Sequence, residues 1–356
     1  LEFRDQREKD VMKMEEKTGD VPLPSHQPVV GILFNCKRKT NGEIPDAEAE
    51  YDSMDTVYAI RDALASFGIQ SVLLECDETL PERLTAAHID IAFNIAEGRS
   101  GRGREAETPA LLNLLGIPFT GSDETTLCVA LDKALCKRLL STYRIRTPKS
   151  RVFLKEGDIR TRGLRFPLIV KPNAEGSSKG IPDACVASDR AELHALAERS
   201  LKLYGGPVLA EEYIAGREFT VGLLGNGETL RVFPPMEIVF RKNTDRDYRI
   251  YSFGVKQDYQ SFVDYECPAR LTREQEEEMT KTARRVYEAI GCQDFARVDF
   301  RLSDEGRLYF IEINPLPGLA PGYSDYPMLA EFSGVPYKEL VYSVLNAGLS
   351  RCGWRR

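Results

Sequence analysis

Two carboxylates and an amide near the C-terminal end of this 356-residue chain are spaced to hold a divalent cation. The stretches Phe295–Leu302 and Arg307–Asn314 both alternate in polarity, and Ser303-Asp304-Glu305-Gly306 between them is turn chemistry. Pairing Leu302 with Arg307 predicts a hairpin with Arg297 opposite Glu312 and Asp299 opposite Phe310. Side chains alternate faces along a strand, so Arg297, Asp299, Glu312 and Asn314 then share one side. Val298, Phe300, Leu302, Tyr309, Ile311 and Ile313 form the other, a core face. Asp299 and Glu312 repel each other unless a cation lies between them. Asp, Glu and Asn supply the oxygen ligands that Mg²⁺ selects, completed by phosphate oxygens. A plain hairpin with one solvated face is the alternative, and the spacing favours the metal.

Three further constellations carry chemistry. In Phe166-Pro-Leu-Ile-Val-Lys171-Pro172, followed by Glu175-Gly176-Ser177-Ser178-Lys179-Gly180, a strand delivers Lys171 ahead of a small-residue loop. Backbone N–H groups in such a loop approach phosphates closely and the lysines add charge, although an ordinary hairpin loop reads the same way. No G-x-x-x-x-G-K-[ST] occurs, which excludes a P-loop. Val208–Ile214 is an apolar strand that ends in Glu211 and Glu212; it could hold an adenine, or be simply a strand end. Residues 241–265 interleave Arg241, Lys242, Arg246, Arg249 and Lys256 with Tyr248, Tyr251, Phe253 and Tyr259. An insertion this long is usually a functional lid or disordered, and its aromatics favour an ordered lid.

The elements that must position these residues alternate between strand and helix. Val29–Asn35 is an apolar run of strand length, and Asp52–Phe67 has helical periodicity through Val57, Ile60 and Leu64, stopped by Gly68. Ser71–Glu75 and Ile89–Asn94 are predicted strands, and Glu107–Leu115 a helix ended by Gly116. A second unit starts with a helix over Lys133–Thr142. It continues with strands at Arg151–Leu154 and Phe166–Lys171, a helix at Arg190–Tyr204 and a strand at Val208–Glu212. The third unit begins near Glu218, and its helix at Arg273–Ile290 leads into the hairpin. Such alternation is α/β with a mostly parallel first sheet. Residues 1–27, charged and without periodicity, read as a flexible extension.

Composition narrows the function classes. A net charge of -7 argues against nucleic acid or an anionic membrane as general partner. No apolar run approaches the ~20 residues of a membrane-spanning helix, and the charged N-terminus has no signal-peptide pattern. The eight cysteines are scattered without a C-x-x-C pair, as expected of buried thiols in a reducing cytoplasm. The three histidines offer no suitably placed base, with His26 in the charged extension and His194 in a polar helical pattern, so Ser-His or Cys-His nucleophilic catalysis is not indicated.

In order along the chain, these segments resemble the ATP-grasp superfamily and, within it, the D-alanine–D-alanine ligase group. The resemblance covers about residues 28–348. It rests on Leu131-Asp-Lys133-Ala-Leu-Cys-Lys137, Val170-Lys171-Pro172 with Glu175-Gly-Ser-Ser-Lys-Gly180, Glu218-Phe-Thr-Val, and Arg297-x-Asp299 with Glu312-Ile-Asn314-Pro-Leu-Pro-Gly318. It implies a three-domain ATP-grasp fold: an N-terminal α/β domain over 28–121, a central subdomain over 122–214, and a C-terminal subdomain over 215–350 with the lid 241–265. ATP would lie between the second and third. The resemblance further implies that Lys133 and Lys171 contact the phosphates, with Ser177 and Ser178 in the loop covering them. Glu211, Glu212 and Ile214 would hold the adenine edge, and Glu218 the ribose. Asp299, Glu312 and Asn314 would bind two Mg²⁺ ions, which Mn²⁺ could replace. Arg297 and the Gly318 backbone would stabilise the oxyanion of a tetrahedral intermediate, and Lys256 would reach the transferring phosphoryl group.

The implied activity is ATP-dependent formation of an amide from a carboxylate and an amine through an acyl phosphate. Its partners are amino-acid or peptide-like small molecules, in a cytoplasmic enzyme for which a homodimer stays open. An ATP-grasp phosphotransferase, and a nucleotide-binding module without catalysis, are the alternatives. The chain departs from the group's pattern where substrate is read. Glu50 and Ser177 fill two expected places, but Gln257 stands where Tyr is expected. Ala320-Pro321-Gly322-Tyr323-Ser324-Asp325 replaces a Thr-Ser-His-Ser run, with Tyr323 and Ser324 nearest to the second substrate. Asn94-Ile-Ala-Glu97-Gly98 replaces a His-Gly segment.

Overall fold

The computed structural model describes residues 27–38, 50–176, 185–241, 248–251, 254–255 and 258–354. Most of the N-terminal extension, the phosphate-loop serines Ser177 and Ser178, and the lid residues Lys256 and Gln257 lie outside the described residues.

The first layer is a parallel sheet in the order β2-β1-β3, formed by β1 (Val29–Phe34), β2 (Gln70–Glu75) and β3 (Ile91–Asn94). Its central strand β1 is buried nearly throughout, which is why it reads as a continuous apolar run. Helix α1 (Met54–Ala65) buries Val57, Ile60 and Leu64, and Gly68 ends the segment at φ +76, a backbone region that glycine enters without strain. Helices α2 (Leu80–Ala87) and α3 (Glu107–Leu115) complete this part. Two short helices follow, α4 (Glu124–Leu131) and α5 (Lys133–Thr142).

The second sheet is antiparallel, in the order β4-β7-β5-β6, from β4 (Ser150–Phe153), β5 (Leu168–Pro172), β6 (Val186–Ala187) and β7 (Val208–Glu212). Helix α6 (Arg190–Tyr204) covers it, Leu193 and Ala197 meeting Val170, Val208 and Ala210 in one apolar cluster.

The third sheet runs β11-β10-β8-β12-β13, with β9 beside β8. Its strands are β8 (Gly216–Leu224), β9 (Arg231–Val232), β10 (Met236–Phe240), β11 (Val263–Glu266), β12 (Phe295–Ser303) and β13 (Leu308–Asn314). The short helix α7 (Tyr259–Phe262) precedes β11, and α8 (Arg273–Ile290), started by a Thr272/Gln275 capping box, packs Met279, Ala283 and Val286 onto the sheet. The insertion expected as lid 241–265 therefore ends as sheet: β11 pairs with β10 in register Ile238 to Tyr265. Two last helices, α9 (Asp325–Phe332) and α10 (Tyr337–Arg351), turn back to the first sheet. Leu340, Val341 and Val344 join Val30, Ile60 and Leu64 in a shared core, and Tyr342 stacks on Phe67 with ring centroids 4.4 Å apart.

The β12–β13 hairpin corrects the expected register. Ser303 N–H donates to the Arg307 carbonyl at 2.9 Å, and Gly306 takes φ +76, so the connection is one residue longer than expected and Leu302 pairs with Leu308. A bulge then shifts the ladder between Asp299 and Phe300, which puts Asp299 opposite Glu312 and Arg297 opposite Asn314. All four residues still share one face. On the other, Leu308 and Phe310 enter the core in place of Tyr309 and Ile311, and Ile311 turns to the cavity described next.

Candidate active site

A cavity of about 330 Å³ is walled by strands of the second and third sheets and by the loops and the start of α1 that flank the first. Its cationic end is built by α5 and β5. Asp132 caps α5 by accepting from the Leu135 N–H at 3.0 Å, and Asn173, just after β5, donates to the same carboxylate at 2.7 Å. Helix start and strand end are thereby tied together, which sets Lys133 and Lys171 in one wall. Lys133 donates to the Glu175 carbonyl at 2.5 Å and lies 3.4 Å from Glu312. Lys171 pairs with Glu211 at 2.5 Å.

Glu211 is not the free acceptor expected from the sequence. Its second oxygen lies 2.9 Å from Lys137, an interior lysine that also donates to the Ile311 carbonyl at 2.9 Å. Burial disfavours the Glu211 charge, yet Lys137 and Lys171 overcome it and hold the carboxyl down at about 2. Glu212 and Ile214 line the cavity beside it, with Glu212 accepting from the Arg165 N–H at 2.9 Å.

On the hairpin face, Arg297 grips Asp299 with two hydrogen bonds of 3.0 and 2.9 Å. Asp299 also accepts from Thr220 at 2.7 Å, its cross-strand neighbour on β8, and from Asn314 at 3.4 Å. The repulsion between Asp299 and Glu312 is thus relieved in part by protein cations, Arg297 and Lys133. Burial opposes the Glu312 charge as well, but Lys133, Lys171 and Arg297 lower it to about 2. Two carboxylates and an amide facing a cavity remain an oxygen set of the kind Mg²⁺ takes when phosphate oxygens complete it. Among the described residues no group of three His, Cys, Asp or Glu side chains could hold a metal alone.

Glu218 is paired with Arg301 at 3.1 Å, and burial nonetheless raises it to about 7. Arg301 was missed in the sequence, although it continues the Arg297-x-Asp299 alternation by two residues. It is 4% exposed and also donates to the Arg249 carbonyl at 2.9 Å, tying the insertion to the sheet. Glu50 also reaches the cavity; its carboxylate pairs with Arg104 at 2.5 Å and accepts the Gly176 N–H. Gly318, Tyr323 and Ser324 also line the cavity, with the Ser324 hydroxyl accepting from the Ala320 N–H at 3.2 Å. Tyr259 bonds the Gly322 carbonyl at 3.0 Å and packs edge-on to Tyr323. Of the expected site residues that are described, all therefore converge on one cavity. Lys137, Arg104, Arg301 and Asp325 are the additions.

Comparison with known proteins agrees with this geometry. The family model "D-ala D-ala ligase C-terminus" matches residues 149–346. A D-alanine–D-alanine ligase from Bordetella petrii is 34% identical over 321 residues, covering 89% of this chain and 91% of that protein. Among solved structures, the D-alanine–D-alanine ligase from Bacillus anthracis complexed with ATP superposes with a TM-score of 0.72 at 23% identity, over 92% of this chain and 99% of that one. The VanG D-Ala:D-Ser ligase from Enterococcus faecalis does so with a TM-score of 0.71 at 21% identity, over 91% and 100%. With an ATP-grasp fold, a charged cavity that gathers the expected residues and relatives of this identity along nearly its whole length, the chain belongs to the D-alanine–D-alanine ligase family of ATP-dependent ligases.

Proposed function

We propose that this ligase activates the carboxylate of one amino acid with ATP and joins it to the amino group of a second, giving a dipeptide. The observation that carries the reading is the meeting of Lys133, Lys171, Arg297, Glu312 and Gly318 in one cavity from separate elements. The division into parts at 28–121, 122–214 and 215–350 belongs to the same proposal, the nucleotide lying between the second and third. A carboxylate oxygen attacks the γ-phosphorus and ADP departs, leaving an acyl phosphate. The amine nitrogen then attacks the carbonyl carbon, loses a proton, and phosphate leaves.

Such chemistry needs positioning and charge neutralisation more than protein acids and bases. Lys133 and Lys171 take the phosphates, with Ser177 and Ser178 over them and Lys256 on the transferring group. Glu211, Glu212 and Ile214 edge the adenine, with Glu211 acting through the lysines that it holds. Glu218 takes the ribose. The Arg297 guanidinium and the Gly318 backbone face the developing oxyanion, where preorganised donors act most strongly. Glu50 and Ser177 contact the first substrate; Gln257, Tyr323 and Ser324 the second. Asp299, Glu312 and Asn314 would hold Mg²⁺, which when bound neutralises phosphate oxygens.

Phosphate release across pairs of D- and L-amino acids, with mass spectrometry of products, tests the reading. An amide with ADP and phosphate is expected. A phosphorylated amino acid would identify a phosphotransferase, and background release a binding module. Asp299→Asn and Glu312→Gln should each raise the Mg²⁺ needed for half-maximal turnover; an unaltered requirement would sink the metal assignment.

A further inference from the structure

Glu97 and Glu105 are cavity carboxylates that the proposed reaction leaves unused. Both follow β3, Glu97 in the loop and Glu105 in a short helical turn, Arg104–Ala106. Among the described residues neither side chain has a hydrogen bond or ion pair, although Glu105 is only 8% exposed and both face the cavity. Nearby Glu50 is already engaged by Arg104 and the Gly176 N–H. Arg104 itself lies between Glu50 and Glu175, the second at 3.5 Å. Asp52 adds another carboxylate to the same wall. Burial, with repulsion from Glu105 and Glu50, pushes Glu97 well above the carboxylate range; burial likewise raises Glu105 to about 7.

Unpaired carboxylates in such a wall call for a cation. The described side chains do not converge closely enough to ligate a metal. A protonated amine, with three N–H donors on one centre, can instead bond two separated carboxylates. We propose that Glu97 and Glu105 form a subsite for a protonated amine that one amino-acid substrate carries in addition to its reacting groups. The enzyme then takes a diamino acid in preference to a neutral one. This inference rests on the ligase reading and names a substrate class for it.

The test is steady-state phosphate release by the full chain with ATP and Mg²⁺. It compares lysine, ornithine and diaminopropionate with alanine, each in both hands. The wild type should favour a diamino acid in kcat/KM by roughly ten- to hundredfold, the span of charge-assisted hydrogen bonds to buried carboxylates. Glu97→Gln and Glu105→Gln should collapse that ratio, mainly through KM. Preference for alanine by the wild type overturns the proposal. So does an equal loss for alanine and diamino acids in the variants, which would place the pair at a group both substrates share. If no pair gives an amide, the ligase reading fails separately and calorimetric titration of the same amino acids decides the subsite. Tighter binding of a diamino acid than of alanine, lost in the variants, supports it; equal binding overturns it. The wild-type preference decides alone if a variant does not fold.

Discussion

Asp325 Oδ2 lies 3.2 Å from Arg297 Nη1, on the side of the guanidinium that Asp299 leaves open. Asp325 is 1% exposed, and its other oxygen accepts from the hydroxyls of Tyr251 and Tyr265 at 3.2 and 3.1 Å. The insertion, the edge strand β11 and the start of α9 thus all orient one arginine. Asp325→Asn keeps the shape and removes the charge. Its kcat should fall roughly ten- to hundredfold, since in the proposed reaction Arg297 faces the charge that develops. The KM for ATP should change far less, and an unchanged kcat would show that Asp299 alone holds the guanidinium.

Glu211 stands between two buried lysines. Glu211→Gln strands both ammonium groups, and breaking a buried pair in this way costs about 3–5 kcal/mol. Urea titration should register that loss. Removing the surface pair of Arg99 with Glu78 should leave the midpoint where it is.

The pH dependence of stability has two opposed arms. Burial raises Asp52, Glu105 and Glu218 to about 7, so the folded chain binds these protons more tightly than the unfolded chain. Stability from them is full below the ordinary carboxylate value of about 4 and is lost as pH rises through 7. Glu211 and Glu312 are held at about 2 and work in reverse, losing their contribution as pH falls from about 4 to 2. The thermal midpoint should therefore peak at mildly acidic pH, and Glu105→Gln should flatten the fall toward 7. A midpoint climbing steadily from about pH 5 to 8 would contradict this.

A methyl group on Gly318 would sit 2.8 Å from the Ser324 hydroxyl, inside contact distance. Gly318→Ala should displace Ser324 and lower kcat/KM by roughly tenfold, about 1.4 kcal/mol, with little change in melting temperature. Gly157→Ala, where the added methyl meets nothing within 4 Å, is the control and should turn over normally.

Regular elements were legible because burial imposes a period on them. The helices Glu107–Leu115, Lys133–Thr142 and Arg190–Tyr204 run as their apolar spacing predicts. The hairpin was legible as two strands and a shared polar face, but its register was not, since a one-residue bulge leaves no periodic trace. Buried charge was the other blind spot. Lys137 and Arg104 look like solvated helix and loop residues until Glu211 and Glu50 arrive from far along the chain. Arg301 was within reach, because it extends a polar face already identified. Helices α9 and α10 escaped notice, so the source of the first sheet's cover did too.

That cover has a consequence for how the protein is made. Strands β1 to β3 leave the ribosome long before α10, whose Leu340, Val341 and Val344 complete their core. Until α10 has emerged, the core shared by the nascent first sheet and α1 stays incomplete, so a segment made late in the chain is what lets an early one finish folding.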